Sequence, residues 1–299
     1  MKDFTVSIVI PNYNGKNLLE KHLKQVIIAA GKAEIIVVDD HSDDGSAEYL
    51  QAEYPNVKLV KQPEHTGFAG TVNTGVRNAG GEIVVLLNTD VEPAAGFLKP
   101  LLTHFQNDRI FAAGCLDKSY DKTGITERGR GIGSWIKGFY IHKKGEVDKS
   151  DTAWVSGGSG AFRKSLWDKL GGMDEIYSPF YWEDIDLSYR ARKAGYQVVF
   201  ESASMVHHYH ESGAVKIFYS PKTISTIAYR NQLLFIWKNL TDLKIWIAHL
   251  VWLPIRIIQS LFAGKVEFLL GFFWALSLTP KLMGRKPGKV KFIISDKIL

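Results

Sequence analysis

Four groups of residues in this chain place oxygen or nitrogen ligands where a fold would expose them. The first is Asn88-Thr89-Asp90, which closes the apolar run from Ile83 to Leu87. A β-branched run of that kind reads as a strand buried on both faces of a parallel sheet. Open α/β sheets bind ligands beyond the carboxyl ends of their strands. Asp90 is therefore placed to hold Mg2+ or Mn2+ against substrate phosphates, since such ions take few protein carboxylates and complete their shell with water and phosphate oxygens. Its competing use is to N-cap a helix near Pro93. The second group, Asp39-Asp40, ends another strand on the same edge. The third is Glu183, Asp184 and Asp186 beside Tyr181 and Trp182. Acids in a first helical turn are favoured by the helix dipole, but three exceed what a cap needs. A carboxylate there could take a proton from an acceptor hydroxyl. The fourth is His207, His208 and His210, closing a later strand as metal or phosphate ligands or as packed core histidines.

Positioning these groups requires alternating strands and helices. Strands are expected at residues 5–10, 34–38, 57–60 and 83–87, and helices at 17–30, 47–53 and from about 65 to 78. That order predicts an α/β fold with a doubly wound parallel sheet and right-handed crossovers. No Gly-x-Gly-x-x-Gly follows the first strand, which excludes a dinucleotide site. Pro11 and Tyr13 stand there instead, placed to flank or stack on a base. Residues 116–153 are less regular, mixing glycines with Arg and Lys, and read as a mobile loop over a charged substrate or as a plain surface excursion. Gly157-Gly158 lies in a small-residue segment that either admits another group close to the backbone or makes a tight packing turn. Short strands are expected at 197–200 and 203–206.

The chain has 299 residues and a single cysteine, Cys115. An intramolecular disulfide is thereby excluded, and a reducing compartment is expected. The N-terminus runs straight into a strand pattern, so no signal peptide is expected. Charge is uneven: the chain carries +6 overall, while the residues from Lys216 onward hold 13 basic and 3 acidic side chains. A basic, Trp-rich tail implies an anionic partner surface, membrane or nucleic acid. Its long apolar stretches favour membrane over nucleic acid. Residues 243–262 are interrupted by Lys244, His249, Pro254 and Arg256, and 268–278 are shorter than the ~20 residues a span needs. Both are expected to lie in the membrane interface, with packing on the catalytic domain or a homodimer contact as the rival use.

Taken together, these stretches resemble the family 2 glycosyltransferases of the GT-A fold. The resemblance rests on Ser7-Ile8-Val9-Ile10-Pro11-Asn12-Tyr13-Asn14-Gly15, Ile36-Val37-Val38-Asp39-Asp40, Gly67-Phe68 with Asn73 and Gly75, Leu86-Leu87-Asn88-Thr89-Asp90, Gly171-Gly172-Met173-Asp174-Glu175 and Trp182-Glu183-Asp184-Ile185-Asp186-Leu187. It runs from about Val6 to His210 and is greatest for the branch of bacterial rhamnosyltransferases and other cell-surface polysaccharide enzymes. It implies a mostly parallel, Rossmann-like sheet flanked by helices. The expected organisation is a catalytic domain at 1–215, with a nucleotide-binding half at 1–115 and an acceptor half at 116–215, and a helical tail at 216–299.

The roles implied by the resemblance are these. Pro11, Tyr13 and Asp39 hold base and ribose, with Gly67, Asn73 and Asn88 on the same nucleotide side. Asp90 is the divalent-metal ligand, with Asn88 in place of the first acid of the Asp-x-Asp pattern. His207 is the second ligand or diphosphate contact, with His208 and His210 as alternatives. Asp184 is the catalytic base, and Gly158, Trp182 and Glu183 face the acceptor. The implied reaction is inverting transfer from a UDP- or dTDP-sugar to a hydroxyl of a cell-surface polysaccharide or lipid-linked glycan. The implied location is cytoplasmic, on the inner face of the cell membrane. A sugar nucleotidyltransferase would need a Gly-rich basic loop after the first strand, which is missing. A non-catalytic scaffold would be expected to have lost Asp90 or Asp184, and both are present.

Overall fold

The computed structural model describes residues 2–121, 124–209, 219–283 and 290–299. Its strands are β1 (Val6–Asn12), β2 (Glu34–Asp39), β3 (Lys58–Lys61), β4 (Ile83–Leu87), β5 (Val91–Pro93), β6 (Ile110–Asp121), β7 (Gly124–Arg128), β8 (Gly131–Ile136), β9 (Phe139–Lys144), β10 (Ser159–Arg163) and β11 (Gln197–Tyr209). The helices are α1 (Lys16–Ala30), α2 (Ser46–Glu53), α3 (Gly67–Asn78), α4 (Leu98–His104), α5 (Lys164–Leu170), α6 (Glu183–Lys193), α7 (Pro221–Asn239), α8 (Leu243–Phe262) and α9 (Val266–Met283).

One sheet runs β3-β2-β1-β4-β10-β6-β11-β5, with β7 paired to β6. It is parallel through β3, β2, β1 and β4. Beyond β4 it is mixed, because β10 runs antiparallel to both β4 and β6 and β5 antiparallel to β11. Every residue of β4 is fully buried. Ile83, Val85 and Leu87 enter the cluster beneath α1 and α4, while Val84 and Leu86 enter the opposite one beneath α3, α5 and α6. A period of two between two covered faces is why this strand reads as an unbroken apolar run.

The irregular stretch at 116–153 is not one loop. Its described part continues β6, turns into β7 and forms the β8–β9 hairpin. The two short strands expected at 197–206 are one strand, β11, with a register shift between Glu201 and Met205. The expected domain boundary near 215 lies outside the described residues. Beyond it, α7 is built into the core that holds α6: Leu233 to Ile236 pack with Trp182, Ile185 and Tyr189.

Beneath that apolar contact is a buried polar one. Asp186, wholly inaccessible, receives Arg190 Nε at 2.7 Å, Lys238 Nζ at 2.9 Å, Asn239 Nδ2 at 2.7 Å and Tyr177 Oη at 2.9 Å. Burial alone would raise its pKa, but Arg190 and Lys238 reverse that and hold it below the usual carboxylate range. The C-terminus closes the other end of α6. Buried Asp296 pairs with buried Lys193 at 2.8 Å, bonds Tyr189 Oη, and accepts the Thr241 and Asp242 amides ahead of α8.

The last two helices are inverted in polarity. Along α8 the outward stripe is Leu243, Ile247, Leu250, Val251, Ile258, Leu261 and Phe262, each more than half exposed, while His249 and Ser260 are buried. His249 accounts for the reversal, since its ring nitrogens meet Gly138 O at 2.8 Å and Trp237 Nε1 at 3.0 Å. By length and hydropathy α8 could cross a membrane, yet it lies along the β8–β9 hairpin and α7.

Replacing Asp186 with Asn would leave buried Arg190 without its anion and Lys238 with Asp174 alone. A loss of about 3–5 kcal/mol is expected in urea unfolding at neutral pH. In the native chain the contribution of Asp186 is present above the ordinary Asp pKa of about 3.9 and disappears as pH falls through its depressed folded value.

Candidate active site

The parallel register sets β1, β2 and β4 in step, pairing Asn12 with Asp39 and Val9 with Leu86. All three strands therefore finish on one edge. Asp39 is buried there and accepts Asn12 Nδ2 at 2.9 Å and the Ser42 amide at 3.2 Å. Asn12 Oδ1 is buried and has no hydrogen-bond partner among the described residues. Asp40, unassigned from sequence, anchors the start of α3 by accepting the Thr66 amide at 2.8 Å and the Gly67 amide at 2.9 Å. Gly67 has φ +79°, and a Cβ there would lie 2.6 Å from Ser178 Oγ. Its glycine is thus required by backbone shape and by the loop packed on it. Half-buried Pro11 and Tyr13 stay accessible, and the Tyr13 ring lies 4.1 Å from that of His65.

Asp90 is 5 % exposed. Val91–Pro93 is strand β5 and α4 begins only at Leu98, so Asp90 caps no helix. The histidine beside it is His208, with Nε2 3.2 Å from Asp90 Oδ1. His207 points elsewhere, its Nδ1 2.8 Å from Tyr120 Oη. The placement expected for His207 is corrected by strand geometry: neighbours on a strand face opposite sides, and the register shift after Glu201 sets which parity faces Asp90. His210 lies outside the described residues. His208 Nδ1 is also 2.8 Å from Asp117 Oδ2. Burial opposes charge on this imidazole, but Asp117 and Asp90 outweigh it and raise its pKa to about 9. No motif pointed to Asp117, a lone acid in an irregular stretch.

The acids of α6 come next. Asp184 is half-buried, with Oδ2 3.3 Å from the Gly157 amide and Oδ1 2.7 Å from the Ile185 amide. Burial raises its pKa and those two amides oppose the shift. Glu183 is buried, and its Oε2 has no hydrogen-bond partner among the described residues. Burial and then the charge of Asp184 hold its pKa well above the usual carboxylate range. Tyr181 and Trp182, with φ of +70° and +77°, swing the chain into α6. Such left-handed non-glycine residues cost roughly 1–3 kcal/mol each.

Three expected contacts are displaced. Trp182 is 4 % exposed and packs on Phe235, so it is a core residue; the outward ring is that of Tyr181, 45 % exposed. The Asn73 amide is taken up by the fold, exchanging bonds with the Met173 backbone at 2.8 and 3.0 Å. Gly158 is covered by Asn88: a Cβ on it would lie 2.6 Å from Asn88 Nδ2.

That last contact joins the site. The Asn88 amide donates to Gly158 O at 3.0 Å, and the next amide, Gly157, donates to Asp184. The loop that carries Asp90 and the acid helix therefore meet across two residues. The donor set fits a divalent cation held partly by substrate. Asp90 offers oxygen and His208, once its proton is displaced, nitrogen, and Asp117 would orient the imidazole as carboxylates do behind metal-bound histidines. Among the described residues no group of three or more ligating side chains occurs, so phosphate oxygens and water would complete the shell.

Comparison with known proteins identifies the family and the fold. The profile of glycosyl transferase family 2 matches residues 7–171. An N-acetylglucosaminyl-diphospho-decaprenol L-rhamnosyltransferase of Mycobacterium tuberculosis is 26 % identical over 67 % of this chain and 75 % of its own length. N-acetylgalactosaminyltransferase 6 of Drosophila melanogaster is 28 % identical over 68 % of this chain and 34 % of its own. Among solved structures, GalNAc-T7 with UDP, GalNAc and Mn2+ superposes with TM-score 0.63 at 20 % identity, over 79 % of this chain and 48 % of that one. The mannosyltransferase PcManGT of Pyrobaculum calidifontis, in complex with GDP-Man and Mn2+, gives TM-score 0.56 at 18 % identity, over 97 % and 78 %. At such identities the structural likeness establishes the GT-A fold. Together with the family profile it leads to one conclusion: the chain belongs to glycosyl transferase family 2 and is a glycosyltransferase.

Proposed function

We propose that the chain transfers a sugar, with inversion, from a UDP- or dTDP-sugar to a hydroxyl of a cell-surface polysaccharide or lipid-linked glycan. The observation that carries this reading is the junction of Asn88, Gly158, Gly157 and Asp184, which sets a proton acceptor beside a diphosphate-binding edge. Pro11, Tyr13 and Asp39 hold the nucleoside. The acceptor oxygen bonds to the anomeric carbon while the bond from that carbon to the diphosphate oxygen breaks. Asp184 takes the hydroxyl proton, and the nucleoside diphosphate leaves with the electron pair. Asp90 and His208 would hold a divalent cation, which would supply neutralisation of the departing diphosphate. A single displacement needs no covalent nucleophile, so positioning carries most of the rate.

The tail belongs to the same reading. The outward stripe of α8 is apolar, and lysines stand at the start of α8, between α8 and α9, and at the end of α9: Lys244, Lys265 and Lys281. An apolar band rimmed by cations suits an anionic bilayer surface. His249 and Trp246 tie α8 to the β8–β9 hairpin and to the end of α7, which supports a helix lying on the membrane rather than crossing it. The enzyme thus works on the inner face of the cell membrane, on acceptors presented there.

Asp184→Asn keeps shape but removes the base. Turnover is expected to fall about 10²–10⁴-fold, with nucleotide affinity unchanged by calorimetry. In the native enzyme kcat should rise with pH through the raised Asp184 pKa, its acid limb lying above the ordinary Asp value of about 3.9. His208→Ala should weaken Mn2+ binding in the presence of UDP by about 10–100-fold, whereas His207→Ala should change it less than about threefold. Ile247→Glu with Val251→Glu, both on the exposed stripe, should abolish flotation with anionic vesicles while leaving the melting temperature near that of the native chain.

A further inference from the structure

Arg230 and Asn231 sit on α7, away from every group used above, yet both are buried, at 2 % and 0 % exposure. Their side chains converge on one target, the backbone that leads into α6. Asn231 Nδ2 donates to the carbonyls of Tyr177, Phe180 and Tyr181 at 2.9, 3.0 and 2.9 Å. Arg230 Nη2 donates to the carbonyls of Tyr177 and Ser178 at 3.2 and 2.5 Å. The pair is locked internally by Arg230 Nε on Asn231 Oδ1 at 2.8 Å. Two adjacent side chains thus gather four carbonyls of one five-residue loop.

An ordinary packing arginine would be expected to keep a carboxylate beside it. Among the described residues no carboxylate lies within 4 Å of Arg230. The guanidinium instead lies 4.1 Å from the Trp274 ring centroid on α9, and its face is the indole's partner. A buried cation without its anion is costly, and what it holds here is backbone alone. That backbone is also under strain, since Tyr181 and Trp182 are both left-handed. Strained residues persist only where their surroundings over-determine them. The same loop touches the nucleotide side, with Pro179 O accepting the Phe68 amide at 3.3 Å and Ser178 Oγ donating to Thr66 O at 3.3 Å.

We infer that Arg230 and Asn231 are positioning residues: by holding the carbonyls of Tyr177, Ser178, Phe180 and Tyr181 they fix the left-handed entry to α6 and so the place of Asp184. The pair touches no substrate. Its effect falls on the acceptor step, because the nucleotide edge has its own anchors in Asp39, Asp40 and Asn12. This rests on Asp184 acting as the base.

The test separates acceptor turnover from donor binding. Asn231→Asp keeps the shape and the bond from Arg230 Nε, and adds the missing anion, but turns three donated bonds into repulsions. Arg230→Lys keeps the charge and loses the fork. Trp274→Ala removes the stack at a position that is 40 % exposed, where the fold tolerates truncation. For the first two, kcat with acceptor should drop about 10²-fold, the scale of a 1 Å misplacement. For Trp274→Ala a drop of about 3–10-fold is expected, the weight of one cation–π contact. In all three, UDP affinity with Mn2+ should stay within about threefold of native, as expected when the nucleotide edge is untouched. Native kcat in all three variants would overturn the inference, as would equal losses of kcat and UDP affinity. Should the two core variants fail to fold, Trp274→Ala alone decides, and native kcat there overturns it. An active Asp184→Asn enzyme would remove the base assignment yet leave the loop measurements readable, so the two failures are distinguishable.

Discussion

A single buried carboxylate, Asp186, ties together the parts that make the site. It lies one turn into α6 and draws Arg190 from the same helix, Lys238 and Asn239 from α7, and Tyr177 from the loop before α6. Arg190 then reaches the carbonyls of Leu170 and Gly172 that end α5. Three helices and a loop are thereby registered around one charge. Such a cluster is weak evidence for net stability, because desolvating the ions offsets much of their attraction. Its value here is geometric: α6 cannot rotate or slide without breaking charged bonds in a dry interior, so the acids of its first turn are fixed in space.

The consequence is a division of labour along α6. The C-terminal end is held by Lys193 and Asp296, the middle by Asp186 and its partners, and the N-terminal end by the strained loop, the Gly157 amide and the packing of Trp182 and Ile185 on α7. Reactive groups sit at the end with the fewest internal ties. Asp184 keeps some access to solvent, while Glu183 beside it is sealed and protonated more readily. Two adjacent carboxyl groups with separated environments can carry different protonation states at one pH. The chain past residue 240 serves the same end, since the last residues return to clasp α6 and the first turn of α8 together.

Much of this was legible in the residues. β4 could be read because an apolar run covered on both faces has no other stable use, and Asp90 because a carboxylate ends it. The first turn of α6 was legible from its three acids. The histidine was not: choosing between His207 and His208 needs the parity of β11, and a register shift before Met205 changes that parity without a sequence mark. The packing of Asn73 and Trp182 was not legible for a related reason. A polar or aromatic side chain reads alike whether it meets a ligand or a neighbouring backbone, and only packing tells Asn73 bound to Met173 from Asn73 bound to a nucleotide. Asp117 gave no signal because its partner lies 91 residues away.

The central claim is that Asp90 and His208 bound the diphosphate end of the pocket that Asp184 faces. Anomalous diffraction at the manganese edge, from crystals grown with UDP and Mn2+, tests it most directly. One peak between the Asp90 carboxylate and the His208 imidazole, with UDP phosphates alongside and Asp184 across the remaining space, is the predicted result. A peak elsewhere, or bound UDP with Asp184 turned away from it, would contradict the account.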